Sequence, residues 1–391
     1  MDKINHNLER SIVIVGAGAA GLLLKSLLNK YYPNFKIYIL ERKNIDKKNL
    51  SSFFLKNPKY LHPNVFSNFF KILLKKYLFE TYLDIYKLNF FNSFFFNTKK
   101  LSRIDFFKKL IFSDNDKNIE IISKINEIEL INNNNLIKEV IFKKNEKTRK
   151  IRCDFMFDCS GTNNFFYNKN KKNNNILKIN KSKNKILITF HLKFFNKDDE
   201  KKIIKIINNE DVTLNYPFHD LTIMKNNEFY TFTFVSKLEN LDKLKAKTEL
   251  KNFLKDIQIN DFVINKSLKW IHKNNVFYDL KDHSYIKNLI PVGDSLLLVD
   301  PSNGMGLTTI LLKTIYITRK IKNFDIKNYF NFSNELFLLL SDQKLGFSKK
   351  KGFLRNFLSS KKNFIPFYNK LRSVIVNYKD RKFFKKILKK I

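Results

Sequence analysis

The chain has 391 residues and a formal net charge of +38. Its length corresponds to about two to three domain equivalents, and 43% apolar with 15% aromatic residues exclude wholesale disorder. Two cysteines, Cys153 and Cys159, exclude a disulfide framework or a zinc site and favour a reducing compartment, so the cytoplasm is the expected location.

No apolar run approaches the ~18 residues that span a bilayer, and the start, MDKINHNLERSIVIVGAG, lacks the flanked apolar core of a signal peptide. The composition is skewed: 51 Asn and 41 Phe stand against nine Gly and four Ala. This is the pattern of an AT-rich coding sequence. Lysine is spread over nearly the whole chain and interleaved with Asn, so the charge reads as solvated faces and nucleic acid is not expected as a partner. Where Gly is so scarce, each one that remains is a candidate for a backbone position that needs it. Seven of the nine fall in three short stretches.

In the first stretch, Ser11 to Val15 is a β-branched run that predicts a buried parallel strand. Gly16-x-Gly18-x-x-Gly21 follows, and then LLLKSLLNKYY with helical spacing. Strand, glycine turn and helix form the context that a dinucleotide fingerprint requires. Gly16 allows the tight turn, Gly18 lets a pyrophosphate approach the backbone, and Gly21 lets helix and strand pack closely. The helix N-terminus supplies free N–H groups and a positive dipole end. The second strand, FKIYILE, ends in Glu41, whose carboxylate suits adenosine ribose hydroxyls and repels a 2′-phosphate.

Residues 118–158 carry alternating strand-like segments around the turn INNNN at 131–135, which predicts a small meander. The second glycine stretch ends it: Arg152 to Cys159 reads as one strand, followed by Ser160, Gly161 and Thr162. Beside the first strand, Gly161 would face a nucleotide; taken alone, the segment fits an ordinary strand-to-loop turn equally well. NNFFYNKNKKNNN at 163–175 reads as a flexible connection. Residues 183–275 are strand-rich, in KILITFHLKFF, DVTLNYPFHDLTIM and EFYTFTFVSKL, with a helix at about 240–257.

In the third stretch a strand ends at Val292 and leads into Gly293-Asp294. A loop with Pro301, Gly304 and Gly306 then opens a helix from about Leu307 to Ile321. Asp294 would present a carboxylate at a strand end, suited to the hydroxyls of a sugar or ribityl chain. The Gly304-x-Gly306 loop and the helix behind it can stabilise a developing negative charge.

Taken together, GAGAAG with Glu41-Arg42, DCSG near the middle, and GD followed by DPxxGxG resemble the FAD-dependent oxidoreductases of the para-hydroxybenzoate hydroxylase-like fold (the glutathione reductase 2 type), over about residues 10–322. The resemblance implies an α/β fold. A Rossmann-like FAD-binding domain (parallel sheet plus β-meander) would comprise 10–50, 100–175 and 280–325. An inserted antiparallel-sheet substrate domain would comprise 51–99 and 176–279, and a basic C-terminal helical region 326–391. It implies FAD, with its ADP half on Gly16, Gly18, Ala19, Ala20 and Gly21 and its ribose on Glu41 beside Arg42. Gly161, Gly293 and Asp294 would lie near the pyrophosphate and ribityl region. Pro301, Gly304, Met305, Gly306 and Leu307 would lie beside the isoalloxazine. Arg103 resembles the arginine that lies near the FAD pyrophosphate; a surface position at a helix start fits it equally well.

The resemblance implies a monooxygenase that hydroxylates or epoxidises an apolar small molecule, with reduced flavin activating dioxygen at C4a and NAD(P)H as reductant. Several features depart from it. Asp158-Cys159-Ser160-Gly161 stands where aromatic hydroxylases have a DG motif, Ser295 to Asp300 carries no His where they have an HxxxP segment, the tryptophan motif of halogenases is missing, and the second glycine fingerprint and paired redox cysteines of disulfide reductases are absent. A flavin-dependent prenyl-chain reductase or cyclase at a membrane surface, and a non-catalytic FAD or nucleotide binder, are the alternatives. Catalytic candidates are weak: His191 and His219 sit in strand-like apolar settings, where a histidine is more often packed than catalytic. No metal-ligand spacing stands out, so no metal is expected. Residues 347–391 hold 15 Lys/Arg and one acid, Asp380, interleaved with apolar residues. Peripheral contact with an anionic membrane is one expectation for this segment, and packing across the substrate domain the other.

Overall fold

The computed structural model of the chain describes residues 10–45, 110–111, 118–161, 164–170, 176–180, 185–207, 212–215, 219–225, 229–236, 241–272, 276–280, 286–298 and 306–348. In chain order these form β1 (Ser11–Val15), α1 (Ala19–Tyr31), β2 (Lys36–Glu41), β3 (Ile119–Ser123), β4 (Ile125–Asn133), β5 (Leu136–Lys144), β6 (Lys147–Arg152), β7 (Phe155–Asp158) and α2 (Phe165–Asn170). They continue with β8 (Ile176–Asn180), β9 (Lys185–Phe194), α3 (Lys197–Ile207), β10 (Val212–Asn215), β11 (His219–Lys225), β12 (Tyr230–Ser236), α4 (Lys243–Asp256), β13 (Phe262–His272) and β14 (Val276–Leu280). The last elements are β15 (Leu289–Pro291), a 3-10 turn at Gly293–Ser295, β16 (Leu297–Leu298), α5 (Gly306–Lys320) and α6 (Ile326–Ser348).

Five strands make a parallel sheet in the order β15-β7-β1-β2-β3. All five residues of β1 are buried, as a central parallel strand covered on both faces requires. On α1, Leu22, Leu23, Leu24, Leu27 and Leu28 are buried, and α1 packs against α5.

The run 152–159, expected as one strand, is two. Arg152 closes β6, which pairs antiparallel with β5, and Phe155 opens β7, which pairs parallel with β1. The break is fixed at Asp154: its side chain accepts the Ser11 N–H at 2.8 Å, and its own N–H donates to Ser11 O at 2.9 Å. Likewise Ile119–Ser123 joins the parallel sheet, and the meander is the three-stranded sheet β4-β5-β6. Its hairpin turns at Asn134 and Asn135, both with positive φ (49° and 59°), a backbone region that Asn tolerates. Residues 163–175, expected as a flexible connection, contain α2; the Asn164 side chain caps it by accepting the Tyr167 N–H at 2.9 Å.

The second five-stranded sheet is antiparallel, in the order β10-β11-β12-β9-β13. α4 falls where a helix was expected, capped by Asp242, which accepts the Lys245 N–H at 2.8 Å. Its Ala246, Leu250 and Leu254, four residues apart, bury one stripe against Phe190, Phe232 and Phe234. α3 was not anticipated. Asp198, Asp199 and Glu200 occupy its first turn, where carboxylates favour the helix dipole, and Ile203 enters the same cluster. A third sheet, β16-β14-β8, carries the two strands that lead into and out of the antiparallel sheet. Among the described residues no helix is long and apolar enough to cross a membrane. The expected domain segment 51–99 and the basic segment 349–391 lie outside the described residues.

Phe232 is fully buried between the antiparallel sheet and α4. Phe232→Ala should destabilise the chain by about 3–5 kcal/mol. Hydrogen-exchange protection should fall first in β9, β12 and α4.

Candidate functional site

The site is built where β1, β7 and β15 end side by side. The chain leaves β1 at Gly16, with φ +104°, and a Cβ there would stand 2.5 Å from Cys159 O. Only glycine permits this approach, which brings the turn onto the β7 end. A Cβ on Gly21 would collide with Gly16 O, so helix and turn also touch backbone to backbone. Gly18 differs: a Cβ there would meet nothing within 4 Å. Gly18 is the N-cap of α1; no side chain caps it, and no acid lies in the first turn. The N–H groups of Ala19, Ala20 and Gly21 open a helix and have no intrahelical acceptor. The geometry is an amide cradle with space in front of it, at the positive end of a helix dipole.

Glu41 ends β2 beside this cradle. Its Oε2 accepts the Ala17 N–H and its Oε1 the Lys43 N–H, each at 2.8 Å. These bonds hold the carboxylate at the glycine loop and leave lone pairs for further donors. Arg42 is exposed.

The DCSG segment does structural work beyond what its glycine signalled. Asp158 is fully buried and accepts the Ser160 N–H at 2.9 Å and the Phe166 N–H at 2.6 Å. The hydroxyls of Ser160 and Ser295 also bond it. Burial pushes its carboxyl pKa up, against the opposing pull of these donors. Ser295 Oγ also lies 3.3 Å from Gly161 O, so its one O–H is shared between that carbonyl and the Asp158 carboxyl. One carboxyl thus ties the end of β7, the start of α2 and the 3-10 turn after β15. Gly161, with φ +65°, faces open space.

The turn Gly293–Ser295 sits between α1 and α5: a Cβ on Gly293 would stand 2.9 Å from Ala20 Cβ and 3.4 Å from Ile310 Cγ1. Asp294 follows, half-buried. Behind the turn, on α5, lies Lys313, which the sequence did not single out. It has no exposed surface, and its Nζ donates to Gly293 O at 3.4 Å. Burial pushes its pKa down to about 7, with Asp294 opposing. Lys25, on α1, is equally buried and donates to Leu110 O at 2.8 Å. Gly306 and Leu307 open α5, both half-buried. Arg103, Pro301, Gly304 and Met305 lie outside the described residues.

The two histidines point to opposite faces of the antiparallel sheet. His219 shares a face with Leu221 and Ile223 and packs against Phe234 at 5.2 Å between ring centroids, on the helix-covered side. His191 shares the other face with Thr189, Thr231 and Thr233. Its Nδ1 lies 3.1 Å from Thr231 Oγ1, and Thr189 and Thr233 hydroxyls are 2.9 Å apart. Thr189, His191 and Thr231 are all buried, so this face is a buried row of hydroxyls and one imidazole. Among the described residues no group of three or more His, Cys, Asp or Glu is placed to hold a metal ion.

No protein-family model matches the chain, and no curated protein matches it. Solved structures match over nearly its whole length. The flavin-dependent brominase Bmp2 aligns with TM-score 0.61 at 14% identity, over 97% of this chain and 100% of that one. A flavoprotein/dehydrogenase from Cytophaga hutchinsonii aligns with TM-score 0.57 at 14% identity, over 97% and 100%. The tetracycline destructase Tet(51) aligns with TM-score 0.52 at 15% identity, over 95% and 98%. At these identities the likeness is one of fold: the chain has the architecture of these flavin enzymes, as its motifs implied.

Two outcomes follow from the geometry. Gly16→Ala, which strains a positive φ and meets the Cys159 carbonyl, should cost about 2 kcal/mol or more in thermal unfolding. Lys313 binds a proton more weakly folded than unfolded, so stability should rise between pH 7 and the ordinary lysine value of 10.5. The slope should approach about 1.4 kcal/mol per pH unit. Denaturant titrations should show the rise in the wild type relative to Lys313→Met; the loss above about pH 9 from the buried thiols and phenols, whose folded pKa values are raised, is common to both proteins and cancels in that difference.

Proposed function

We propose that the chain is an FAD-dependent oxidoreductase of the monooxygenase type. The observation that carries this reading is the uncapped, open amide cradle at Gly18, flanked by the anchored Glu41 carboxylate. A diphosphate fits the cradle by charge and space, and the ribose hydroxyls fit Glu41, whose negative charge disfavours a phosphorylated ribose. Ala19, Ala20 and Gly21 contribute N–H groups to the diphosphate. Asp294 holds sugar or ribityl hydroxyls, and the Gly306–Leu307 end of α5 offers a positive dipole to negative charge developing on the ring. Bound FAD supplies the redox chemistry. The protein positions the cofactor and excludes water.

On this reading NAD(P)H is the reductant, dioxygen the co-substrate and an apolar small molecule the acceptor. The antiparallel sheet supplies the substrate side. Its face carrying Thr189, His191, Thr231 and Thr233 offers hydrogen bonds that orient one polar group on an otherwise apolar acceptor, and His191 can hold or move a proton there. The structural neighbours include halogenases, a destructase and a dehydrogenase, and so lend no support to a prenyl-chain reductase or cyclase or to a non-catalytic binder. Membrane contact by the basic C-terminal segment remains a separate proposal, tested by vesicle co-sedimentation of the full chain.

The purified protein should be yellow, or become so when reconstituted with FAD. Gly18→Asp, which places a carboxylate in the cradle where an added Cβ meets nothing within 4 Å, should abolish flavin binding while leaving the unfolding temperature within a few degrees. A colourless protein that cannot be reconstituted overturns the proposal. Retained flavin in Gly18→Asp overturns the placement of the diphosphate.

A further inference from the structure

Every residue of α5 from Thr308 to Thr318 is buried, and Lys313 is the one charged residue among them. A buried ammonium is costly unless a counter-charge compensates it, and a methionine would fill the same space without that cost. The turn it serves is the Gly293–Asp294 turn. Gly293 O, already accepting the Leu296 N–H at 3.2 Å, also takes the Lys313 Nζ at 3.4 Å.

The ionisable groups on the elements around α5 are few among the described residues. Asp294, on the turn, favours the charged amine. Lys25 on α1 is engaged with Leu110 O, and Tyr329 on α6 with Pro291 O. Asp158 on β7 is taken up by the amides of Ser160 and Phe166. Among the described residues Asp294 is thus the one carboxylate whose charge Lys313 feels, and it is half-buried.

We propose that Lys313 is the buried counter-ion of the cofactor, taking up one proton from solvent as the diphosphate-bearing ligand settles on the Gly293–Asp294 turn. This rests on the FAD reading above. The balance is simple: the neutral amine gains a proton from the buffer and becomes an ammonium, while the ligand brings negative charge into a site of low dielectric. Burial leaves the empty protein's Lys313 poised near pH 7, so at about pH 8 it is mostly neutral. An arriving anion raises its proton affinity. By linkage, protonation and cofactor binding then strengthen each other. Lys313 is a positioning residue here: it acts on the cofactor through the turn and the field, and is given no step in the reaction.

The test is calorimetric titration of FAD into the cofactor-free full chain at about pH 8, in HEPES and in Tris, whose ionisation heats differ and neither of which brings phosphate to the anion cradle. The difference between the two heats counts protons. The wild type should take up close to one proton, and its affinity should fall up to about tenfold per pH unit above pH 8. Lys313→Met should take up none and show affinity that is flat with pH. Lys313→Arg, charged throughout, should also bind without uptake. Equal uptake in Lys313→Met, or FAD binding by the wild type with no uptake, overturns the proposal. Uptake that survives in Lys313→Met but vanishes in Asp294→Asn puts the proton on the carboxyl and overturns it too. Absence of any FAD binding by the wild type instead overturns the flavin reading beneath it.

Discussion

The Gly16 turn rests on the carbonyl of Cys159, and the site depends on that contact. It lets β1 and β7 end at the same level, with the Cys159 N–H donating to Val15 O at 2.8 Å and the Gly16 N–H to Leu40 O at 2.8 Å. The turn is therefore hydrogen-bonded on one side and pressed against backbone on the other. Any Cβ would push it outward and carry the start of α1 with it. The cradle at Gly18, the anchoring of Glu41 through the Ala17 amide, and the seat of Gly293 against Ala20 all inherit their positions from this one approach. Asp158 completes the arrangement from below. Its carboxyl gathers amides and hydroxyls from three segments, so the ends of β7 and β15 cannot drift apart without stranding buried donors.

Much of this was legible because of a compositional accident. In a chain with nine glycines, the cluster Gly16, Gly18, Gly21 stands out, and its strand and helix follow from β-branched and leucine spacing. The same skew hid other parts. Lys313 is one lysine in a chain where lysine is everywhere, and its burial comes from the packing of α5 against α1 and the turn, which no local pattern records. α3 was missed because KDDEKKIIKII looks like solvated charge until the sheet beneath it is known. Periodicity runs 152–159 together as one strand because it cannot see that its halves pair with different sheets. Asp158 sat inside a recognised motif, yet only contacts from Phe166 and Ser295, several or many residues away, reveal its role.

The two histidines show the same limit. From sequence both are histidines in apolar strands. The pairing of β11 with β12 and of β12 with β9 sends them to opposite sides of one sheet. His219 becomes a packing residue beside Phe234, and His191 joins a polar row with Thr231. A shift of one residue in either strand would send its histidine to the other face.

The small sheet β16-β14-β8 has a mechanical meaning. β16 begins within two residues of Ser295 and hydrogen-bonds to β14, whose Val276 and Phe277 face Leu298 and Leu297. Upstream, β14 follows β13 of the antiparallel sheet after residues 273–275, and it also pairs with β8, which leads into β9. The Gly293–Ser295 turn is thus tied through β16, β14 and β8 to β9, the strand that carries Thr189 and His191. The Gly293–Ser295 turn and the antiparallel sheet are therefore not built independently: the chain entering the sheet, the chain leaving it and the chain leaving the turn share one set of strand hydrogen bonds.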